Sequence, residues 1–454
     1  MGETAFRIIQ YSELERWDVK YFAGRIKSKY PLVSLAELVT EHNEKIRPFK
    51  SPDETFKILG VNNVDGIFHS YDALGKEIRQ PYKKVSSGDF AYNPYRVNVG
   101  SIGWVPPEHD GAYISPAYVV FSVDSSVILP EVFWFILKSD FFNQTLRAAT
   151  AGSVRMNLTY PLLKTLKIPV PPLPIQQKIL TSYSLANNQL SESLDISKSI
   201  EVSSEQQFIE SLGLKKPKRT TLPKIICSSF KEIDRWSLMF NQLASVGANL
   251  EDGKYTAVQL SECLDNTANG YSVKPSKKQT NYKILKLSAL QPHGLDLSES
   301  KNVDISEKIA ERFYLKKGDL LICRSVGSFS HVAKSALVED DQPGIIFPDI
   351  IIRARFNESI LPEYAREVIQ SSVGRAWFQQ NARTAVGMWK IGGSDIAAFP
   401  MPLPTLSVQQ KLVKEVVSAR EKAQNIRETA NRTFANEIKL IEKMILDTRS
   451  VEAH

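Results

Sequence analysis

Few residue groupings in this 454-residue chain could break or make covalent bonds. The six histidines (His42, His69, His109, His293, His331 and His454) fall at no metal-ligand spacing, and each reads as an ordinary surface or core residue. Cys227, Cys263 and Cys323 are too few and too scattered for a disulfide framework or a CxxC zinc site. There is no GxxxxGK[ST] loop to cradle a triphosphate and no GxGxxG opening a helix. A GxSxG nucleophile elbow is also missing. Pro52-Asp53 and Pro348-Asp349 are not followed nearby by the carboxylate-x-Lys partner that a Mg²⁺-dependent nuclease needs. The residue types point away from catalysis.

The elements that must position any site are written twice. Arg16-Trp17 returns as Arg235-Trp236, and YPLVSLAELV from Tyr30 returns as YTAVQLSECL from Tyr255. Gly88-Asp89 matches Gly318-Asp319, Pro116 matches Pro348, and Pro130-Glu131 matches Pro362-Glu363. LKIPVPPLPIQQKI from Leu166 matches AFPMPLPTLSVQQKL from Ala398. The order never changes, so the copies are duplicated domains rather than short stacked repeats. Segments between the landmarks, such as residues 40–85 against 265–315, differ almost completely. The scaffold is shared; the surface it carries is not.

Each copy has a mixed first part. Short apolar runs (Lys57 to Val61, Ala117 to Val123, Lys283 to Leu287, Asp319 to Cys323, Gly344 to Ile352) predict strands. The stretches beginning Leu129-Pro130 and Leu361-Pro362 predict helices, the second a single helix reaching Asn381. Each copy then closes with a proline cluster and a long helix. In the second of these, Val408, Leu412, Val416, Ala419, Ala423, Ile426, Ala430, Phe434, Ile438, Ile441 and Ile445 make one apolar stripe on a charged helix. The first has a weaker stripe of Ile175, Ile179, Tyr183, Ala186 and Leu190. The expected class is α+β, with two tandem mixed α/β domains separated by two long antiparallel coiled-coil-like helices.

Charge and hydropathy add bounds. Lys plus Arg number 57 against 50 Asp plus Glu, a net charge of +7. Five of the cations (Lys215, Lys216, Lys218, Arg219, Lys224) fall in one stretch, so the rest is nearly neutral and any DNA-binding basicity must be local. No apolar run is long enough for a membrane helix and the start lacks a signal-peptide core, so a cytoplasmic protein without membrane contact is expected.

The duplicated order of Arg-Trp, Gly-Asp, proline turn and Gln-Gln helix resembles the specificity subunit of type I restriction–modification systems, over nearly the whole chain. The resemblance implies target recognition domains at 1–173 and 228–404, spacer helices at 174–213 and 405–448, and a basic linker at 214–227. It implies a non-catalytic subunit that reads a bipartite target in double-stranded DNA. Two methyltransferase subunits would methylate adenine, and restriction/translocase subunits would cut. S-adenosylmethionine, ATP and Mg²⁺ are expected on those partners, with no cofactor in this chain. Asn93-Pro94-Tyr95 is similar to the Asn-Pro-Pro-Tyr motif of adenine methyltransferases, but lacks the second proline and a glycine-rich loop before it. The second copy has Cys323-Arg324-Ser325 there, so a DNA-contacting loop is the better expectation.

Candidate DNA contacts are basic or amide residues in segments that differ between copies: Arg79, Lys83, Lys84, Asn93, Arg96, Asn98 and Arg155 in the first, and Lys274, Lys277, Lys278, Arg324, Lys334, Arg383 and Lys390 in the second. Arg suits guanine and Asn suits adenine in the major groove. Tyr95, Trp104 and Trp389 read as core aromatics. A duplicated-domain protein adaptor with no DNA specificity is the alternative.

Overall fold

The computed structural model describes residues 28–62, 66–96, 101–139, 142–143, 145–146, 157–217, 225, 235–245, 249–291, 294–385 and 387–446. Arg16-Trp17, Asn98, Arg155 and most of the basic linker lie outside these residues. The chain divides into two units, Met1–Glu192 with Thr429–His454, and Ser193–Glu428.

Gly-Asp sets the start of each central strand. Gly88 and Gly318 have φ of +92° and +83°, a left-handed conformation that costs glycine little. The following aspartate closes the turn: Asp89 Oδ2 accepts the Ser86 N–H and Asp319 Oδ2 the Lys316 N–H, both at 2.8 Å. The strand that follows is buried on both faces in each unit, as Phe90–Tyr92 and as Leu320–Cys323. The first unit orders its antiparallel sheet Val39–Glu41, Val119–Val123, Phe90–Tyr92, Ile102–Trp104. The second repeats the order as Leu264–Asn269, Ile351–Phe356, Leu320–Cys323, Ser335–Leu337. A two-stranded pair is duplicated too: Val33 faces Ile168, and Val258 faces Met401.

The sheets beside this shared one are not shared. The first unit has a five-stranded sheet ordered Lys45–Ile46, Tyr82–Lys84, Tyr113–Ile114, Thr55–Val61, Ile67–Leu74. The second has three-stranded sheets of Ser300–Val303, Tyr282–Leu285, Ile345–Ile346 and of Ser325–Val326, Met388–Lys390, Arg383–Ala385.

Proline opens the helices Pro130–Lys138 and Pro362–Gln370, where its missing N–H costs nothing. Phe133 of the first meets Phe90 edge-on at 5.1 Å in the core. Two expectations need correction. The run from Gly344 to Ile352 forms two strands, Ile345–Ile346 and Ile351–Phe356, because a turn closes between them through the Ile351 N–H and the Pro348 carbonyl at 2.9 Å. The helix expected to reach Asn381 breaks at Ser371, whose hydroxyl accepts the Gly374 N–H at 3.1 Å and starts a new helix, Ser372–Asn381.

The long helices run Leu173–Ser211 and Leu406–Leu446, and within each unit their segments lie antiparallel. In the first unit Ile179 shares a core with Ile441 and Ile445, and the Tyr183 and Phe434 rings are 6.2 Å apart. In the second, Ser197 Oγ donates to the Ala423 carbonyl at 2.9 Å and Arg427 pairs with Glu201 at 2.8 Å. All eleven residues of the expected stripe are buried or half-buried. Each helix start is locked by the first glutamine of its pair. Gln176 accepts from the Leu129 N–H (2.8 Å) and donates to the carbonyls of Val127 (2.9 Å) and Pro171 (2.8 Å). Gln409 accepts from the Leu361 N–H (2.8 Å) and donates to the carbonyls of Ser359 (3.3 Å) and Pro404 (2.9 Å). Gln177 and Gln410 are exposed. No described helix is long and apolar enough to cross a membrane.

Candidate nucleic-acid interface

In both units the central strand delivers the chain to a loop or ribbon that the other unit does not share. In the second unit Arg324 follows Cys323. Its N–H donates to the Ile350 carbonyl at 2.8 Å, its carbonyl accepts the Ile391 N–H at 3.0 Å, and its guanidinium reaches the Asp349 carbonyl at 3.2 Å. Ser325–Val326 then pairs with Met388–Lys390, which pairs with Arg383–Ala385. Lys334 lies across from Cys323, whose N–H its carbonyl accepts at 2.8 Å. Trp389 packs on Phe329 with ring planes tilted by 59° and centroids 4.6 Å apart, and roots this ribbon, half-buried. Strand pairing therefore brings the backbones of four expected contacts together, with Arg324 and Lys334 half-buried beside the exposed Arg383 and Lys390. Arg383 and Lys390 are exposed; Arg383 also sits 3.4 Å from Asp395.

Lys274, Lys277 and Lys278 occupy a separate exposed segment, pinned by Tyr271 N–H to the Phe347 carbonyl (2.9 Å) and Ser276 N–H to the Asn302 carbonyl (2.7 Å). That segment leaves from Gly270, where a Cβ would lie 2.2 Å from the Pro348 carbonyl, so its root adjoins the Pro348–Asp349 turn beneath Arg324.

In the first unit the equivalent place is the turn Asn93–Arg96. Asn93 Oδ1 accepts the Tyr95 N–H at 3.0 Å, and the Arg96 N–H returns to the Asn93 carbonyl at 3.0 Å. Asn93 and Arg96 are thus together, with Arg96 exposed. Tyr95 is not a core residue as expected but 62% exposed, because the turn carries it beyond the sheet. Trp104 is half-buried and lines a concavity with Trp134, Tyr183 and Phe434. Arg79 and Lys84 are exposed on the five-stranded sheet and its preceding loop, away from that turn in sequence and sheet. Lys83 on the same strand is 4% exposed; burial pushes its ammonium below the ordinary lysine range, with Glu41 acting in the opposite sense. Its charge faces protein, not solvent.

Two features escaped the sequence reading. His42 Nδ1 lies 3.1 Å from Asp89 Oδ1 while its Nε2 lies 3.0 Å from Ser122 Oγ, a Ser–His–Asp line. The second unit shows its role. Arg355, one residue beyond the strand partner of Leu320 as Ser122 is one beyond that of Phe90, grips Asp319 with bonds of 2.7 and 2.8 Å. In each unit a side chain from elsewhere in the fold contacts the buried turn aspartate, His42 at Asp89 and Arg355 at Asp319. Spacings of tens of residues gave no signal for either. The described residues hold no group of three metal-ligating side chains, and burial pushes the Cys323 thiol up to about 11, away from a reactive thiolate.

A family model for the type I restriction modification DNA specificity domain matches residues 74–193. The specificity subunit of the type I restriction enzyme EcoKI from Escherichia coli (strain K12) is 23% identical over 395 residues, 84% of this chain and 79% of that protein. The chain is similar to type I restriction–modification specificity subunits, through the domain match at residues 74–193 and more distantly over most of its length. A chain from a solved structure on complex assembly and conformational transition of the type I R-M system shares its fold, with a TM-score of 0.55 and 16% identity over 93% of this chain and 98% of that one. The specificity-domain match takes in the Asn93–Arg96 turn, the Gln176 lock and the first half of the Leu173–Ser211 helix.

Proposed function

We propose that this chain is the DNA-recognition subunit of a type I restriction–modification complex, reading a bipartite, asymmetric target. Each unit reads one half-site in double-stranded DNA. The observation that carries this reading is the contrast between a duplicated four-stranded sheet and the unlike segments that follow its central strand, an amide-aromatic turn at Asn93–Arg96 and a basic ribbon around Arg324. A common scaffold with two different readers fits a target whose halves differ. The ribbon suits guanine-bearing or phosphate surfaces through Arg324, Arg383 and Lys390, and Asn93 suits adenine.

Chemistry belongs to partners in this reading. Two methyltransferase subunits would bind S-adenosylmethionine and methylate adenine, while restriction/translocase subunits would use ATP and Mg²⁺. This chain would supply base contacts and leave much of the phosphate affinity to the partners, in keeping with its near-neutral bulk. Single-molecule methylation mapping with and without the gene tests it: loss of adenine methylation at one split motif is expected. Exchanging residues 25–165 for another member's segment should alter one half-site. Change in both halves, or in neither, would sink the two-reader arrangement.

A further inference from the structure

His331 stands on a short 3₁₀ turn, Phe329–His331, in the loop that leads from Val326 of the ribbon to the strand Ser335–Leu337. The backbone of this loop is tied down by its own turns. The Ser328, Phe329 and His331 carbonyls accept the N–H groups of His331 (3.0 Å), Val332 (3.2 Å) and Lys334 (3.1 Å). Two helices then hold it from behind. Gln370, the last residue of the helix Pro362–Gln370, donates its amide to the Ala333 carbonyl at 2.7 Å and to the Ser335 hydroxyl at 2.8 Å. From the helix Ser372–Asn381, Arg375 donates to the Ser330 carbonyl and Gln379 to the Phe329 carbonyl at 3.3 Å. The break at Ser371 lets two helices address one loop.

Ala333 shows how firmly this clamp acts. Its φ of +55° is left-handed, in a fully buried residue that carries a Cβ. A residue other than glycine keeps that conformation only where its surroundings impose it, and such residues cluster at functional sites. On the other side, Phe329 packs against Trp389 of the ribbon. The loop backbone is thereby fixed to helices and ribbon together, while Ser328, Ser330 and His331 stay exposed. The two serine hydroxyls bond each other at 2.8 Å, and the His331 ring pairs with no described side chain. Counting from Pro130-Glu131 and Pro362-Glu363, the first copy has Lys138 where the second has Gln370. The clamp therefore goes with a loop that only the second copy carries. A rigid backbone that presents an imidazole next to the basic ribbon loses little ordering entropy on binding.

We infer that His331 is a further base-reading residue of the second unit, its ring N–H donating to N7 or O6 of a guanine, with Gln370 as the residue that positions it. This rests on the DNA-reading function proposed above. The test uses the full chain assembled with its methyltransferase partners and maps methylation by H331A and Q370A against the unaltered complex. Affinity is measured in parallel for the mapped target duplex and for a scrambled duplex of equal length. H331A should relax one G·C position, in the half-site that exchanging residues 25–165 leaves intact, and lower the preference there about ten-fold. Its affinity for the scrambled duplex should not change. Q370A, which strips the Ala333 carbonyl of its partner and leaves the imidazole in the chain, should relax the same position by a smaller factor. An unchanged H331A motif, relaxation in the other half-site, or an equal loss on both duplexes would overturn the inference. So would relaxation by Q370A at a different position. If the unaltered complex prefers no motif, the broader DNA reading fails and this inference with it.

Discussion

Arg383 and Lys390 stand directly opposite each other across an antiparallel ribbon, both exposed. Directly paired residues share a face, and like charges so placed repel by roughly 0.2–1 kcal/mol. Asp395, 3.4 Å from Arg383, offsets part of this cost in the free protein, and a polyanion would relieve the rest. Lys390→Glu should raise the melting temperature of the chain slightly and lower its DNA affinity at least ten-fold. A gain in stability without a loss of binding would separate the ribbon from DNA.

Arg324 and Arg96 follow equivalent strands in the two units, so their losses should be distinguishable. Arg324→Ala should relax one half-site of the methylated motif and Arg96→Ala the other, each by about 1–3 kcal/mol of discrimination. Methylation mapping of both variants reads this directly. Relaxation of the same half by both would contradict the assignment.

Lys83 is expected to contribute nothing to DNA binding, since its ammonium is buried. Its pKa is lowered in the fold, so the charged form is disfavoured relative to the unfolded chain. That cost is present below the lowered value and fades as pH rises through the ordinary lysine range. Lys83→Met should therefore melt at or above the parent's temperature near pH 7, with the difference shrinking as pH rises from the lowered value and gone above about pH 10.5. DNA affinity should not change.

Gln409→Ala would strip the Leu361 N–H and the Pro404 carbonyl of their partner inside the protein. A loss of about 2–4 kcal/mol in denaturant unfolding is expected, against less than about 0.5 kcal/mol for Gln410→Ala at the exposed neighbour. Equal effects would mean that the lock is incidental.

The duplicated scaffold was legible because its signals are local. Gly-Asp needs a left-handed turn, Pro-Glu opens a helix, and an apolar residue every three or four positions marks the Leu406–Leu446 stripe. The gathering of Arg324, Lys334, Arg383 and Lys390 depends on strand pairing across some sixty residues of sequence, and side-chain type alone does not encode it. Picking basic residues from variable segments included these four and also Lys83, which is buried. The His42 contact with Asp89 was hidden for the same reason. Ser371 and Pro348 interrupted elements whose composition looked continuous.

The first unit is built from two stretches far apart in sequence: Ile441 and Ile445 sit in the same core as Ile179 and Phe133. Each such isoleucine contributes about 1.5–3 kcal/mol of burial. During synthesis the first unit must therefore wait, incomplete, until residues 429–446 have been made, while the Ser193–Glu428 unit can already close. A frameshift near residue 430 would damage first the domain encoded farthest upstream of it.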